Sequence, residues 1–172
     1  MIFLKLFESF TESNRASLYH TAPLSNAINI LKEDQIWPSF GYDEKKRTIS
    51  FTRDKNFTYG KRLVTFVLDQ EKLRNKYRLR PFNYYVHGPD NPKKDKFEAE
   101  ELMYGYLKDL HKYLTGIRIN TKYKKISKTY DERQDYQKLV DILGEYTKKY
   151  SIPVLGDDWN SISIDSIKDL AA

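Results

Sequence analysis

Lys96-Phe97-Glu98-Ala99-Glu100-Glu101-Leu102-Met103-Tyr104-Gly105 sets three carboxylates at the head of an apolar run. Side chains alternate faces along a β-strand, so Glu98 and Glu100 share one face while Glu101 goes with Phe97 and Met103. At least one carboxylate therefore points inward. A carboxylate beside an apolar interior is costly unless it is paired, hydrogen-bonded or neutralised, so an acidic strand start marks the lip of a cleft. The plainer reading is an edge strand that uses charge to block aggregation.

Around this strand the chain has 172 residues, which fit one domain, 1–172, that buries a core without metal or disulfide. Residues 1–16 are expected as an N-terminal arm and 121–172 as a C-terminal helical extension. The 30 Lys+Arg against 24 Asp+Glu leave a net charge of +6, which favours polyanionic partners but is modest enough to be a solvated surface. Cysteine is missing, which excludes disulfides, thiolate zinc sites and cysteine nucleophiles. His20, His87 and His111 have no metal-ligand spacing, so no metal is expected. The 14 tyrosines and nine phenylalanines serve equally as core or as stacking platforms for bases, and most are assigned to the core. Lys5 and Glu8 interrupt the apolar start Met1–Phe10, and no small-residue cleavage site follows. A short amphipathic helix, a cytoplasmic location and no membrane partner are the expectations.

Ser17-Leu18-Tyr19-His20-Thr21 reads as a short strand stopped by Ala22-Pro23, and Leu24–Lys32 follows as a helix with Ser25 near its start. Ile36–Ser39 is extended. Thr48-Ile49-Ser50-Phe51-Thr52-Arg53-Asp54 alternates, with Ile49 and Phe51 on one face, Ser50 and Thr52 on the other, and an arginine at the end. Arg62–Leu68 is a β-branched and aromatic strand, after which Asp69 caps a short helix through Tyr77. Arg78–Val86 alternates again. His87–Lys96, with Gly88, two prolines and a lysine cluster, has the composition of an exposed loop leading into the acidic strand. A short helix is predicted over Tyr106–Leu114 and a strand over Gly116–Asn120. Lys122–Lys128 carries four lysines, which fit a phosphate backbone but equally a solvated surface. Asp131–Tyr150 is the clearest helix, with Tyr136, Leu139, Val140, Leu143 and Tyr146 on one face and lysines at its end. A last strand over Ile152–Leu155 and a helix over Asp165–Ala172 complete the chain. Many short strands and few helices between them predict an α+β class with a mostly antiparallel, bent sheet or two small sheets.

The sequence holds no Gly-x-Gly-x-x-Gly, no Gly-Lys-Ser/Thr phosphate loop, no His-Glu-x-x-His and no Gly-x-Ser-x-Gly. Nucleoside triphosphate, zinc-protease and serine-hydrolase readings lose their support. Neighbouring carboxylates on one strand fit the flanking geometry of glycosidases poorly.

Three pieces stand in a particular order: a strand ending in Tyr19-His20-Thr21 before a helix, the strand Ile49-Ser50-Phe51-Thr52-Arg53, and the late acidic strand Glu98-Ala99-Glu100-Glu101-Leu102-Met103. This order resembles the ADP-ribosyltransferase fold, particularly its small bacterial and phage-type members and the DNA-targeting DarT-like toxins, over roughly Leu18–Asn120. The resemblance implies NAD as substrate. It implies that His20 contacts an NAD ribose, that backbone groups of Thr21 hold the nicotinamide amide, and that Ser50, Phe51 and Thr52 line the nicotinamide pocket. By the same resemblance Arg53 contacts NAD and assists catalysis. The catalytic glutamate falls on Glu100 by the Glu-x-Glu spacing, or on Glu101 by the apolar pair that follows it. Acceptor recognition falls on the loop Tyr84–Lys96, with Tyr84, Tyr85, His87, Lys93 and Lys94. The last fifty residues carry no family signature, and no Ser-Thr-Ser triplet is present.

The chemistry asks for these residue types independently. Breaking the nicotinamide glycosidic bond creates an oxocarbenium-like ribose, which a carboxylate by the ribose 2′-hydroxyl stabilises as charge develops. An arginine supplies charge-assisted hydrogen bonds to a pyrophosphate, and a neutral histidine holds a ribose hydroxyl. The plainer readings are a strand-end histidine for His20 and an ion pair with Asp54 for Arg53. The expectation is a mono-ADP-ribosyltransferase with a macromolecular acceptor, nucleic acid favoured over protein by the basic balance and the lysine-bearing loop. Two alternatives stand beside it: a catalytically silent binding protein contacting nucleic acid or a host protein, and an NAD glycohydrolase using the same site.

Overall fold

Alternating and β-branched runs form the strands of one large sheet, and the periodic runs form the helices laid against it. The computed structural model describes residues 16–40, 47–55, 63–82, 100–121 and 130–168, with side chains described for all of these except 40, 81, 82, 100 and 130–133. In chain order the elements are β1 (Ser17–Ala22), α1 (Leu24–Glu33), β2 (Gln35–Ile36), β3 (Ser39–Phe40), β4 (Arg47–Thr52), β5 (Val64–Asp69), α2 (Gln70–Lys76), β6 (Leu79–Phe82), β7 (Glu100–Tyr104), β8 (Leu107–Lys108), β9 (Leu114–Ile119), α3 (Tyr130–Tyr150), β10 (Val154–Leu155) and α4 (Ile164–Lys168). A 3₁₀ turn at Leu110–Lys112 joins β8 to β9.

The eight-stranded sheet runs β10-β9-β5-β1-β4-β7-β6, with β3 added beside β4. Among the described residues only β10 and β9 pair in parallel, so the class is α+β with a mostly antiparallel sheet. A second, two-stranded sheet pairs β2 with β8. Pro81 lies in β6, the last strand of the order among the described residues, and an edge strand tolerates a residue without an N–H. The sheet forks at its middle. Strand β1 meets β4 with Tyr19 opposite Thr52, while the other end of β4 pairs with β3 through Ser39 opposite Thr48.

Register sorts the side chains. Leu18, His20 and Ala22 stand opposite Leu68, Phe66 and Val64, and Phe66 and Val64 stand opposite Ile117 and Ile119. On the other side of the fork Ile49 and Phe51 stand opposite Met103 and Glu101. Apart from His20 and Glu101 this face is apolar and buried, and it joins one cluster with Ala27, Ile28 and Leu31 of α1 and Leu139, Val140 and Leu143 of α3. Phe51, Phe66, Tyr113 and Tyr146 belong to this core, whereas Trp37, Tyr104 and Tyr106 are exposed.

Asp69 ends β5 and caps α2 as expected, its Oδ1 accepting from the Lys72 N–H at 3.0 Å. Ser25 lies in the first turn of α1 as expected; Pro23 takes the N-cap position without a side-chain bond, and its carbonyl accepts from Ala27 N–H at 2.9 Å. One local expectation is corrected. Tyr106–Leu114 is not a helix. Gly105 at φ 85° and Asp109 at φ 52° bend the backbone, and Leu107, fully buried, pairs with Ile36 across the small sheet. Tertiary pairing there overrides the helical spacing of the apolar residues.

Helix α3 also predicts an alkaline limit. Burial pushes the Tyr136 hydroxyl up to about 12 from the ordinary 10.0, and burial, then the Asp34 hydrogen bond, pushes Tyr146 up still further. A phenol whose folded pKa lies above its unfolded value contributes stability that is complete below pH 10 and lost as pH climbs through the folded pKa. Thermal melts between pH 9 and about 12 are expected to show a steady fall in Tm that begins near pH 10. Substituting Phe at Tyr136 is expected to flatten part of that fall; an unchanged slope counts against it.

Candidate active site

Because Asp69 closes β5 and opens α2 within one residue, the first turn of α2 is fixed to the sheet. The Asp69 N–H donates to the Tyr113 carbonyl at 2.8 Å and the Gln70 N–H to the Ala16 carbonyl at 3.1 Å. Gln70 and Arg74, four residues apart, share a helix face. That face meets Glu101, the second residue of β7.

Glu101 is fully buried. Its Oε1 accepts a hydrogen bond from Arg74 Nη2 at 2.9 Å, stands 3.2 Å from Arg53 Nη2, and has Gln70 Nε2 3.5 Å away. Its Oε2 is buried with no hydrogen-bond partner among the described residues. Both arginines are about half exposed, so the carboxylate sits inside while its counter-charges reach solvent. An unsatisfied buried carboxylate oxygen costs about 1–3 kcal/mol or more, and such atoms in folded proteins ask for a reason.

The remaining expected residues divide between the two faces of the sheet. Phe51 faces with Glu101, its partner across β4 and β7, and Arg53 follows on the same side. His20 shares that face, with its ring 5.9 Å from Phe51 and 6.4 Å from Phe66 between centroids. It stands at the fork of the sheet, where Nδ1 lies 3.0 Å from the Ser50 carbonyl. A carbonyl only accepts, so Nδ1 carries a hydrogen. Thr21, Ser50 and Thr52 lie on the opposite face. Thr21 is buried opposite Thr65, Ser50 is exposed, and Thr52 Oγ1 accepts from the Asp54 N–H at 3.1 Å. A pocket built from side chains of Ser50, Phe51 and Thr52 together is therefore not formed by one face, while backbone groups of Thr21 and Ser50 remain at the fork.

Glu100 pairs with Thr52 at the head of β7, and its side chain lies outside the described residues. So do Tyr84, Tyr85, His87, Lys93 and Lys94, the whole loop Tyr84–Lys96, the lysines of Lys122–Lys128 and the N-terminal arm before Ala16.

The sequence reading missed Gln70 and Arg74. The available signal was the pair itself: a polar and a cationic residue at i and i+4, immediately after a cap that fixes the helix to a strand. Gln70 is 5% exposed, a buried amide that calls for a polar partner on another element.

No protein-family model matches the chain, and no curated protein matches it. The chain is similar to solved chains of DarT from Thermus sp. 2.9. One, in complex with carba-NAD+, gives a TM-score of 0.49 at 10% identity over 85% of this chain and 98% of that one. A second, in complex with NAD+, gives 0.49 at 12% identity over the same shares. A third, in complex with ADP-ribosylated ssDNA, gives 0.47 at 9% identity over 78% of this chain and 90% of that one.

Proposed function

We propose that this chain is a single-domain mono-ADP-ribosyltransferase that uses NAD as substrate and transfers ADP-ribose to a macromolecular acceptor, with nucleic acid as the favoured acceptor. The observation that carries the reading is the Glu101 carboxylate: fully buried, paired on Oε1 by arginines, and without a partner on Oε2 among the described residues. A carboxylate oxygen held in that state is ready to accept from a ribose 2′-hydroxyl, and its charge counts most where water is excluded. His20 and Arg53, which the family resemblance implies contact the dinucleotide, stand on the face that carries Glu101.

In the step this arrangement serves, the C1′–N bond to nicotinamide breaks and its electron pair leaves with neutral nicotinamide. Positive charge spreads over C1′ and the ring oxygen. The acceptor nucleophile then forms the new bond to C1′ and gives up its proton to solvent. Glu101 stabilises the cationic ribose and holds the 2′-hydroxyl, and Arg53 meets the phosphates.

Incubating the chain with labelled NAD and separate DNA, RNA and protein acceptors tests the reading. Label on nucleic acid with release of nicotinamide is the expected result. Nicotinamide release without labelled acceptor indicates an NAD glycohydrolase. Folded protein that neither transfers nor releases nicotinamide, yet binds nucleic acid with a steep salt dependence, indicates a silent binding protein.

The basic run Lys93-Lys94 precedes the Glu101 strand in the sequence, so we assign the acceptor contacts to it. Lys93→Ala with Lys94→Ala is expected to weaken nucleic-acid binding and flatten its salt dependence by about 0.9 per lost duplex phosphate contact, or about 0.7 on a single strand. NAD hydrolysis without acceptor is expected to stay within about twofold of the wild type. Loss of NAD binding with acceptor binding intact reverses the assignment.

A further inference from the structure

Three donors converge on one oxygen. Arg74 Nη2 donates to Glu101 Oε1 at 2.9 Å, Arg53 Nη2 forms an ion pair with it at 3.2 Å, and Gln70 Nε2 lies 3.5 Å away. A carboxylate oxygen offers about two lone-pair directions, so three donors overfill Oε1 while Oε2 has no partner among the described residues. The donors are not equally anchored. Gln70 and Arg74 stand on α2, which is tied to the sheet through the Asp69 cap and through backbone bonds to Tyr113 and Ala16. Arg53 stands one residue beyond the end of β4, 44% exposed, at the longer of the two guanidinium distances.

We propose that Arg74 is the positioning residue that fixes the Glu101 carboxylate from helix α2, and that Arg53 is an exchangeable cover which leaves Glu101 for the pyrophosphate when a dinucleotide binds. The proposal rests on the reading of Glu101 as the ribose-facing carboxylate. Pairing Arg53 with a diphosphate removes one positive charge from the carboxylate as the ribose cation develops, so the exchange leaves Glu101 more able to stabilise it. Arg74 meanwhile keeps Oε1 in place, so that Oε2 faces the reacting sugar. The ligand-free chain is thereby spared a buried carboxylate without a counter-charge.

Double-mutant cycles in urea, run with and without saturating NAD, separate the two arginines. The variants are Glu101→Gln combined with Arg74→Met or with Arg53→Met, and Arg74→Lys replaces Arg74→Met if that protein fails to fold. Without NAD, Arg74 and Glu101 are expected to couple by about tenfold in the unfolding equilibrium constant, and Arg53 and Glu101 by less. With NAD, the Arg53 coupling falls below about twofold and the Arg74 coupling persists. In nicotinamide release, Arg74→Met lowers kcat by about tenfold with KM little changed, while Arg53→Met chiefly raises KM.

Absence of Arg74–Glu101 coupling overturns the positioning role, as does an Arg74→Met variant whose KM rises while kcat holds. Arg53–Glu101 coupling that survives saturation with NAD overturns the exchange. If NAD shifts the stability of no variant, the dinucleotide reading and the exchange both fall, while the cycle without NAD still decides the role of Arg74.

Discussion

In a nicotinamide-release assay, Glu101→Gln is expected to turn over NAD about 100-fold or more slowly than the wild type. The substitution keeps the size and planarity of the side chain and, through its carbonyl oxygen, the hydrogen bond from Arg74; it removes the charge and sets an amide NH2 in place of Oε2, the oxygen proposed to accept from the ribose 2′-hydroxyl. Stability is expected to change little, because both arginines left behind are about half exposed and water solvates them. That combination, a large kinetic loss on an intact fold, distinguishes a transition-state role from a structural one. Glu100→Gln, made in parallel, is expected to cost less than about tenfold, since the ion pairs converge on Glu101. Full turnover in Glu101→Gln removes Glu101 from the reaction, and a larger loss at Glu100 than at Glu101 moves the catalytic role to Glu100.

The largest stability effect is expected at a second polar cluster, around Asp34. Asp34 closes α1 in the left-handed region at φ 50° and gathers three elements: its Oδ1 accepts from the His111 N–H at 2.9 Å and from the buried Tyr146 hydroxyl, and its Oδ2 pairs with His111 Nδ1 at 2.5 Å. The Asp34 carbonyl also accepts from the Leu110 N–H at 2.9 Å. His111 in turn stacks on Tyr150 with ring centroids 4.1 Å apart. Asp34→Ala strands a buried phenol and a backbone donor and forces a Cβ without a polar arm into the left-handed region, so a loss of about 3 kcal/mol is expected in urea or guanidinium unfolding. Asp34→Asn keeps an acceptor oxygen and tolerance of that backbone, and is expected to lose only about 1 kcal/mol. Equal losses for the two variants, or a loss under about 0.5 kcal/mol for Ala, contradict the network.

The strand containing Glu101 and its inward carboxylate were legible because a period of two leaves little choice: Met103 faces the core, so Glu101 does too. Asp69 as a cap, the long helix α3 and the antiparallel character of the sheet were legible for the same reason, since each rests on local spacing. What was hidden depends on contacts between distant segments. Arg53 was expected to share a cleft with the catalytic glutamate, with an ion pair to Asp54 as the plainer reading; that the Glu101 carboxylate itself, supplied by β7, pairs with it is recorded by no local spacing. Arg74 was missed because nothing local records that α2 meets the acidic strand. Tyr106–Leu114 carried helical spacing, but Leu107 is drawn into a two-residue strand by Ile36, some seventy positions earlier. The choice between Glu100 and Glu101 could not be made from the sequence, because the Glu-x-Glu spacing selects Glu100 and the apolar pair that follows selects Glu101; Glu101 is proposed for the arginines that converge on it.

A structure determined with NAD or a non-hydrolysable analogue tests the central claim most directly. The account predicts the nicotinamide ribose on the His20–Phe51 face, its 2′-hydroxyl within about 3 Å of Glu101 Oε2, Oε1 still held by Arg74, and Arg53 turned to the pyrophosphate. Dinucleotide bound on the opposite face beside Ser50 and Thr52, or bound with Glu101 still closed under both arginines and out of reach of the ribose, contradicts it.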